Sequence, residues 1–252
     1  MSALPISGAT STTELKECPV LILAGGLGTR LRSAYDDGPK VMAPVGGRPF
    51  LWYLLTSLAS AGFEQVVLCV GYRHEQIHDW LGDGSQFGLA VSYSRETEPL
   101  GTAGALRLAY SRYVSAPRLV AMNGDSWLQA DFDAMYKTHM LSKAQATIAV
   151  AAVSDSSRYG RVEIDDEGNV QAFLEKSGEP VGGYINGGIY LFESTVMSLV
   201  PDGHAVSLEK EVLPQLQLRG LKAFPCPGYF IDIGIPEDLA RAQTELKELA
   251  GK

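Results

Sequence analysis

The stretch VLILAGGLGTRLRSAYDDGPK, residues 20–40, changes abruptly from apolar residues to glycines and charged side chains. The apolar run Pro19–Ala24 predicts a short, buried strand of a parallel sheet. The residues after this run include the closely spaced glycines Gly25, Gly26 and Gly28 and the cationic residues Arg30 and Lys40. Glycines let backbone N–H groups approach phosphate oxygens without interference from a Cβ, and a guanidinium can donate two hydrogen bonds to the same oxygens. The stretch therefore predicts a strand that ends in a phosphate-binding loop.

The spacing of these glycines separates the loop from two common nucleotide motifs. It does not match G-x-G-x-x-G, and it does not match G-x-x-x-x-G-K-[ST]. A dinucleotide-binding dehydrogenase is disfavoured further because no acidic residue follows a second predicted strand at the expected place. Taken alone, the loop could also be a tight turn between a strand and a helix, and Lys40 could be a solvated surface lysine.

Short apolar runs alternate with helical segments through the first half of the chain. The predicted strands are Pro19–Ala24, Gln65–Val70, Ala90–Ser94 and Leu119–Met122, and the predicted helices are Pro49–Ala61, Glu75–Leu81 and Ala103–Tyr113. This alternation predicts an α/β fold with a doubly wound, mostly parallel, Rossmann-like sheet, in which ligands bind beyond the carboxyl ends of the strands. The glycine loop and Asn123-Gly124-Asp125 both fall at that edge.

The second half has a different pattern, with turns between successive predicted strands. These strands are Ala146–Val153, Arg161–Ile164, Val170–Leu174 and Tyr184–Phe192, and the helices Ser207–Leu218 and Pro236–Leu249 complete the chain. The pattern predicts a smaller, mixed or antiparallel lobe. We expect one domain over residues 18–252, preceded by a flexible, Ser/Thr-rich leader over residues 1–17. The apolar segment Pro49–Ala61 could lie in the core or in a homo-oligomeric interface, and the core is favoured.

Composition limits the partners of the 252-residue chain. A net charge of -8 argues against a nucleic-acid partner. No apolar run reaches the roughly 18 residues that a membrane span needs, so no membrane partner is expected. Cys18, Cys69 and Cys226 are an odd number without a C-x-x-C pair, which favours buried, reduced thiols and a cytoplasmic location.

Five segments in order resemble the sugar-1-phosphate nucleotidyltransferases. They are LAGGLGTRL…PK…PVGGRP (from Leu23), EPLGTAGAL (from Glu98), NGDS (from Asn123), FLEKS…YINGGIYLF (from Phe173) and IDIGIPEDL (from Ile231). The resemblance covers nearly the whole chain from Val20 onward. It implies an enzyme that transfers a nucleoside monophosphate from an NTP to a sugar 1-phosphate and releases pyrophosphate, without a covalent intermediate.

The resemblance also implies a role for each matching residue. Arg30, Lys40 and Asp125 would be catalytic, and Asp125 and Asp232 would hold Mg²⁺. The nucleotide would contact Leu23, Ala24, Gly25, Gly26, Gly28, Thr29, Gly71, Tyr72, Gly101, Thr102, Asn123 and Gly124. The sugar phosphate would contact Tyr159, Gly160, Glu175, Lys176, Asn186 and Gly187. From the residues alone, each aspartate could instead cap the turn or helix that follows it, and the small residues after Leu100 could serve helix packing.

Within this family the chain is most similar to the D-glycero-D-manno-heptose 1-phosphate guanylyltransferases of bacterial surface polysaccharide pathways. That similarity implies GTP and D-glycero-D-manno-heptose 1-phosphate as substrates. The chain departs from the wider family at Ser177, Gly187 and Ile235, and RSAYDDG replaces the usual P-L-T after the first arginine. Two alternatives therefore stay open: a thymidylyl- or uridylyltransferase that acts on a hexose 1-phosphate, and a non-catalytic subunit that senses nucleotide sugars.

Overall fold

The computed structural model describes residues 11–26, 28–31, 33–174, 178 and 180–250. The strands are β1 (Val20–Leu23), β2 (Pro44–Val45), β3 (Arg48–Pro49), β4 (Gln65–Val70), β5 (Ala90–Arg95), β6 (Arg118–Asn123), β7 (Ser126–Leu128), β8 (Ala146–Val153), β9 (Arg161–Ile164), β10 (Val170–Leu174), β11 (Gly183–Glu193), β12 (Leu221–Cys226) and β13 (Phe230–Asp232). The helices are α1 (Ser11–Lys16), α2 (Phe50–Ser60), α3 (His74–Leu81), α4 (Gly101–Tyr113), α5 (Phe132–Ser142), α6 (Leu213–Gln217) and α7 (Pro236–Ala250).

One mixed sheet runs through both halves of the described chain. Its strands lie in the order β12-β8-β11-β6-β1-β4-β5, and β9 and β10 continue the sheet beside the first part of β11. Strands β6, β1, β4 and β5 are parallel, whereas β11 runs antiparallel to both of its main neighbours, β6 and β8. The predicted α/β fold with a mostly parallel sheet is confirmed, and the antiparallel lobe is an extension of that sheet.

Helices cover both faces of the sheet. Helices α2, α3, α5 and α7 pack on one face around Ile22, Leu54 and Leu68, and α4 and α6 pack on the other face around Leu21 and Leu106. The buried residues of α2 place this helix in the core, as the sequence favoured. Cys18, Cys69 and Cys226 are free and buried. Within the described residues, no helix is both long and apolar enough to cross a membrane.

The predicted flexible leader is wrong for the part of it that is described. Residues Ser11–Lys16 form α1, and Leu15 is only 2% exposed. The Tyr136 hydroxyl on α5 donates a hydrogen bond to Glu14 Oε2 at 2.8 Å. The burial of Leu15 and this hydrogen bond therefore hold the segment against the domain. Residues 1–10 of the expected leader lie outside the described residues.

Several elements were missing from the sequence prediction or had other forms. Helix α5 begins after Asp131, whose Oδ1 accepts the Ala134 N–H at 2.9 Å as an N-terminal cap. The predicted helix Ser207–Leu218 is divided into a π-helical turn, Leu208–Val212, and α6, which carries Pro214 in its first turn. Pro214 has no N–H to donate, so the α-helical hydrogen-bond ladder is interrupted at this point.

Candidate active site at the carboxyl ends of the strands

Two loops at the carboxyl edge of the sheet are tied to their neighbours by backbone hydrogen bonds. The Gly124 N–H donates to Leu23 O at 2.9 Å, and the Ile233 N–H donates to Asp125 O at 2.9 Å. A Cβ on Gly124 would collide with the Leu23 carbonyl oxygen, so only glycine permits this approach of the β6 loop to β1. These contacts bring Asp125, at the end of β6, next to β13, which ends at Asp232.

The side chains of Lys40, Asp125 and Asp232 form a compact cluster, which we call the carboxylate–lysine cluster. Lys40 Nζ lies 2.7 Å from Asp125 Oδ2 and 3.8 Å from Asp232 Oδ1. The side chain of Lys40 is 12% exposed, while those of the two aspartates are 37% and 31% exposed. Lys40, Asp125 and Asp232 are separated from one another by 85 or more positions in the sequence. They nevertheless meet where the sequence predicted a catalytic centre.

Asp232 is held in an unfavourable electrostatic environment. Burial raises the pKa of Asp232, the nearby charge of Asp125 raises it further, and Lys40 and the Gly234 N–H act in the opposite direction. That N–H donates to Asp232 Oδ1 at 2.5 Å. Two carboxylates thus share one ammonium group, and the cluster favours the arrival of a further cation.

The donor atoms of this cluster fit a magnesium ion. Mg²⁺ prefers oxygen ligands and is commonly held by one or two carboxylates together with phosphate oxygens and water. Asp125 and Asp232 supply two partly exposed carboxylates of this kind. Among the described residues, no group of three or more His, Cys, Asp or Glu side chains could hold a metal ion. A cation bound here would therefore share its coordination with substrate and solvent.

The glycine loop lies beside the same cluster. The Ala24 N–H donates to Cys69 O at 2.8 Å, Gly26 has open space where a Cβ would lie, and Gly28 has a positive φ of 58°. Gly28, Lys40 and Tyr72 line one small pocket. Arg30 is exposed on the helical turn Thr29–Leu31 that follows the loop, and the Thr29 side chain is outside the described residues. Gly28 and Lys40 thus border one small cavity, and Arg30 lies on the adjacent turn.

Glu96 is a residue of this site that the sequence reasoning did not identify. It follows β5 directly, and a Cβ on Gly25 would lie 2.7 Å from its Oε1 atom. Its Oε2 atom accepts the Leu100 N–H at 3.1 Å. Burial raises the pKa of Glu96. An acidic residue immediately after a strand was the available signal, but the predicted strand stopped at Ser94 and hid it.

The start of α4 is built mainly for packing. The Thr102 hydroxyl donates to Glu209 Oε2 at 2.9 Å and accepts the Leu208 N–H at 2.7 Å. Gly101 has a positive φ of 67°, and a Cβ there would lie 2.6 Å from Val206 O. These contacts favour the packing alternative for the Thr102 side chain over direct contact with a nucleotide. Gly71 differs, because its backbone borders Glu96 and the glycine loop.

The predicted sugar-phosphate residues form three pairs along the chain, and the pairs differ in their surroundings. Tyr159 is half-buried, and its ring lies edge-on to Phe230 at a centroid distance of 5.8 Å. It is followed by Gly160, whose Cβ position lies 3.0 Å from Leu174 O. Tyr159 thus lies beside β13 and Gly160 lies beside the end of β10, whereas Glu175 and Lys176 fall outside the described residues.

Asn186 and Gly187 shape the middle of β11. Asn186 Nδ2 donates to the Tyr190 hydroxyl at 2.7 Å, and Asn186 Oδ1 accepts the Gly188 N–H at 2.9 Å. A Cβ on Gly187 would lie 2.5 Å from the Leu128 side chain. Both ends of the Asn186 amide thus hold the irregular part of the strand, and a contact between Asn186 and the sugar phosphate stays a prediction. Among the described residues, the buried Asn123 Oδ1 has no hydrogen-bond partner.

Known proteins resemble this chain both in sequence and in fold. Residues 19–248 match the family described as nucleotidyl transferase. A D-glycero-alpha-D-manno-heptose 1-phosphate guanylyltransferase from Aneurinibacillus thermoaerophilus is 39% identical over 228 residues, which are 90% of this chain and 97% of that protein. A mannose-1-phosphate guanylyltransferase from Mycobacterium tuberculosis is 37% identical over 229 residues, which are 90% of this chain and 64% of that protein. The crystal structure of HddC from Yersinia pseudotuberculosis complexed with GMP-PN has a TM-score of 0.80 and 34% identity, covering 91% of this chain and 99% of that one.

Proposed function

Because the chain belongs to the nucleotidyl transferase family, we propose that it transfers GMP from GTP to D-glycero-D-manno-heptose 1-phosphate and releases pyrophosphate. The observation that carries this proposal is the carboxylate–lysine cluster beside the open glycine loop. A reaction between two anionic substrates needs cations where the two substrates meet, and this arrangement would supply them there. The names of the guanylyltransferase relatives support the choice of base and sugar. The product would serve surface polysaccharide synthesis.

The residues of the chain divide the work of one displacement step. A phosphate oxygen of the sugar 1-phosphate attacks the α-phosphorus of GTP, and the bond to the departing pyrophosphate breaks. Lys40 can exchange its contact with Asp125 for phosphate oxygens and so reduce the repulsion between the two substrates. Arg30 would neutralise charge on the leaving pyrophosphate, and the amides of the glycine loop would orient the triphosphate. When bound, Mg²⁺ supplies polarisation of the α-phosphate and screening of charge.

The position of Glu96 supports guanine as the base. Guanine presents two adjacent donors, its ring N1–H and its 2-amino group, whereas uracil and thymine present one N–H between two carbonyl oxygens. A carboxylate can accept both hydrogen bonds from guanine, and it repels the carbonyl oxygens of the pyrimidines. Glu96 lies beside Gly25 and Gly71, next to the phosphate-binding backbone. Its place at the rim of the loop is therefore suited to reading a base whose triphosphate lies on that loop.

Pyrophosphate release with a panel of substrates tests the proposal. GTP, ITP, ATP, UTP and dTTP are each combined with heptose 1-phosphate, mannose 1-phosphate or glucose 1-phosphate. GTP with the heptose should give the highest kcat/KM, and ITP, which lacks the 2-amino group, should be about tenfold poorer because one charge-assisted hydrogen bond is lost. Preference for dTTP or UTP with glucose 1-phosphate would overturn the choice of substrates. A normal rate after thorough chelation would remove Mg²⁺ from the proposal.

A further inference from the structure

A second ionic group lies on α7, outside the carboxylate–lysine cluster. Asp238 is in the first turn of this helix and is only 4% exposed. Its Oδ2 atom accepts a hydrogen bond from Arg158 Nη2 at 2.7 Å, and its Oδ1 atom accepts one from Arg241 Nη1 at 3.1 Å. A carboxylate that is buried to this extent is stable only with such partners. Arg158 belongs to the segment that precedes β9, so this ion pair joins two parts of the chain that are 80 residues apart.

Arg158 also contacts the neighbouring tyrosine. Its Nη2 atom donates to the Tyr159 hydroxyl at 3.2 Å, and its guanidinium carbon lies 5.5 Å from the centre of the Tyr159 ring. The Tyr159 ring also contacts the ring of Phe230, which lies edge-on to it. Phe230 precedes Asp232 by two residues on β13. Tyr159 is thus fixed between an arginine that α7 holds and the strand that carries a predicted metal ligand.

The segment before β9 has another anchor at its beginning. Ser156 is buried, its N–H donates to Val181 O at 3.0 Å, and its hydroxyl donates to the same oxygen at 2.7 Å. This anchor ties the segment to the chain that leads into β11, within the antiparallel lobe. The Arg158–Asp238 pair instead ties it to α7, which follows Asp232. The ion pair therefore links the lobe expected to bind the sugar to the strand end that carries Asp232.

We propose that Arg158 and Asp238 are positioning residues that hold Tyr159 and Gly160 in place for the sugar 1-phosphate. This inference rests on the proposed function, because it takes the sugar 1-phosphate as the ligand beside Tyr159. Neither side chain needs to touch the reacting atoms. Without the ion pair, the segment keeps its Ser156 anchor but loses its connection to α7. The sugar phosphate would then be held less accurately, while the glycine loop that holds the nucleotide is unchanged.

Separate Michaelis constants for the two substrates test this inference. Asp238→Asn and Arg158→Gln should each raise the KM for the sugar 1-phosphate about tenfold and leave the KM for GTP within about twofold, since one ion pair near one substrate is lost. Arg158→Lys keeps the charge but not the planar fork that reaches both Asp238 and Tyr159, so it should recover only part of the loss. The double variant Arg158→Gln/Asp238→Asn should be no worse than either single variant, because both remove the same contact.

Arg241→Ala is the matched control. It removes the other partner of Asp238 and leaves the hydrogen bonds of Arg158 to Asp238 and Tyr159 in place. Its KM for the sugar 1-phosphate should stay within about twofold of the wild-type value, because it does not touch the Tyr159 segment. Equal effects of Asp238→Asn and Arg241→Ala, or a parallel rise of both Michaelis constants, would overturn the inference. If Asp238→Asn does not fold, the more exposed Arg158→Gln decides the question alone. A wild-type protein that is inactive with every substrate pair would instead overturn the proposed function.

Discussion

Strand β6 has a cluster of charged side chains near each of its ends. The two clusters differ in how far their charged groups find hydrogen-bond partners within the cluster. Beyond its carboxyl end, Asp125 joins Lys40 and Asp232. At its amino end, Arg118 begins a second group, which we call the amino-edge network. Both clusters combine an arginine or lysine with carboxylates, and both are partly exposed. One cluster is nevertheless a candidate catalytic centre and the other is not, because their hydrogen bonds differ.

The amino-edge network satisfies its polar atoms with its own members. Arg118 donates to Glu193 Oε1 at 2.7 Å and to the Tyr136 hydroxyl at 3.1 Å. His139 is 1% exposed, with Nε2 at 3.2 Å from Glu193 Oε1 and Nδ1 at 2.8 Å from Thr147 Oγ1. Since a carboxylate only accepts, neutral His139 must donate from Nε2 and accept from the threonine hydroxyl. Arg118, Tyr136, His139, Thr147 and Glu193 thus each have a partner within the network, which connects α5, β6, β8 and β11.

The carboxylate–lysine cluster lacks that balance. Its two carboxylates share one lysine, and the second of them lies 3.8 Å away from the ammonium group. A protein that needed only stability would gain from replacing one of these charges. The imbalance is instead what a site requires when a metal ion and phosphate groups complete it. An open set of charges, and not the presence of charge alone, therefore distinguishes the candidate site.

Removing the lysine should have the largest effect and would test the open cluster directly. Lys40→Ala should lower kcat/KM by about 100- to 1,000-fold, because it removes the ammonium group that reduces the repulsion between the two phosphates. The variant should keep its circular dichroism spectrum, since Lys40 is not in the apolar core. Lys137→Ala, at an exposed position of α5, is the control and should have normal activity. A rate within threefold of wild type for Lys40→Ala would remove Lys40 from catalysis.

Neutralising one carboxylate should separate activity from stability. Asp232→Asn can keep the hydrogen bond from the Gly234 N–H while it removes the repulsion from Asp125. In metal-free buffer its melting temperature should rise by about 2–4 °C, which corresponds to roughly 1 kcal/mol, whereas its kcat should fall about 100-fold. Differential scanning calorimetry and pyrophosphate release measure the two effects. Glu98→Gln, a substitution at an exposed site, should change neither, and a lower melting temperature for Asp232→Asn would mean that the cluster is balanced after all.

The sequence predicted the parallel half well because apolar runs and helices alternate there. Gln65–Val70 has the predicted bounds, and the predicted catalytic lysine and aspartates do meet. The strand Leu221–Cys226 was missed because Lys222 and Pro225 interrupt its apolar pattern, and its pairing with β8 comes from a distant part of the chain. Such pairings depend on tertiary structure, which local pattern does not contain.

The candidate site was predictable where a motif specifies backbone and charge, and less so where orientation matters. The inward orientation of Asn186 depends on the irregular register between β11 and β8, which no local pattern indicates. Glu96 was missed because one strand boundary was placed too early by a residue. Arg158 and Asp238 meet only because α7 packs beside the segment before β9. Motifs therefore predict which residues are present at a site better than they predict which of them face a ligand.

Breaking the amino-edge network should reduce stability and spare catalysis. Glu193→Gln removes the charge that Arg118 and His139 share, so the free energy of unfolding should fall by about 1–3 kcal/mol. The kcat should stay within twofold of wild type, because the network lies at the opposite edge of the sheet from the carboxylate–lysine cluster. Urea unfolding and initial rates measure the two quantities. Glu163→Gln, at an exposed position of β9, is the control; a large loss of kcat in Glu193→Gln would end the distinction between the two clusters.

The smallest effect should be a pH dependence of stability that comes from His139. Burial lowers the pKa of His139, and the hydrogen bond to Glu193 offsets part of this. Below the ordinary histidine pKa of about 6.5, the unfolded chain binds a proton that the folded protein does not, so stability should fall as the pH decreases, by at most about 1.4 kcal/mol per pH unit. Urea unfolding at pH 7.5, 6.5 and 5.5 measures the slope. His139→Gln should unfold more easily at pH 7.5 but show a flatter dependence between these values. An unchanged slope would place the titrating group elsewhere and would leave the amino-edge network without a role in the pH response.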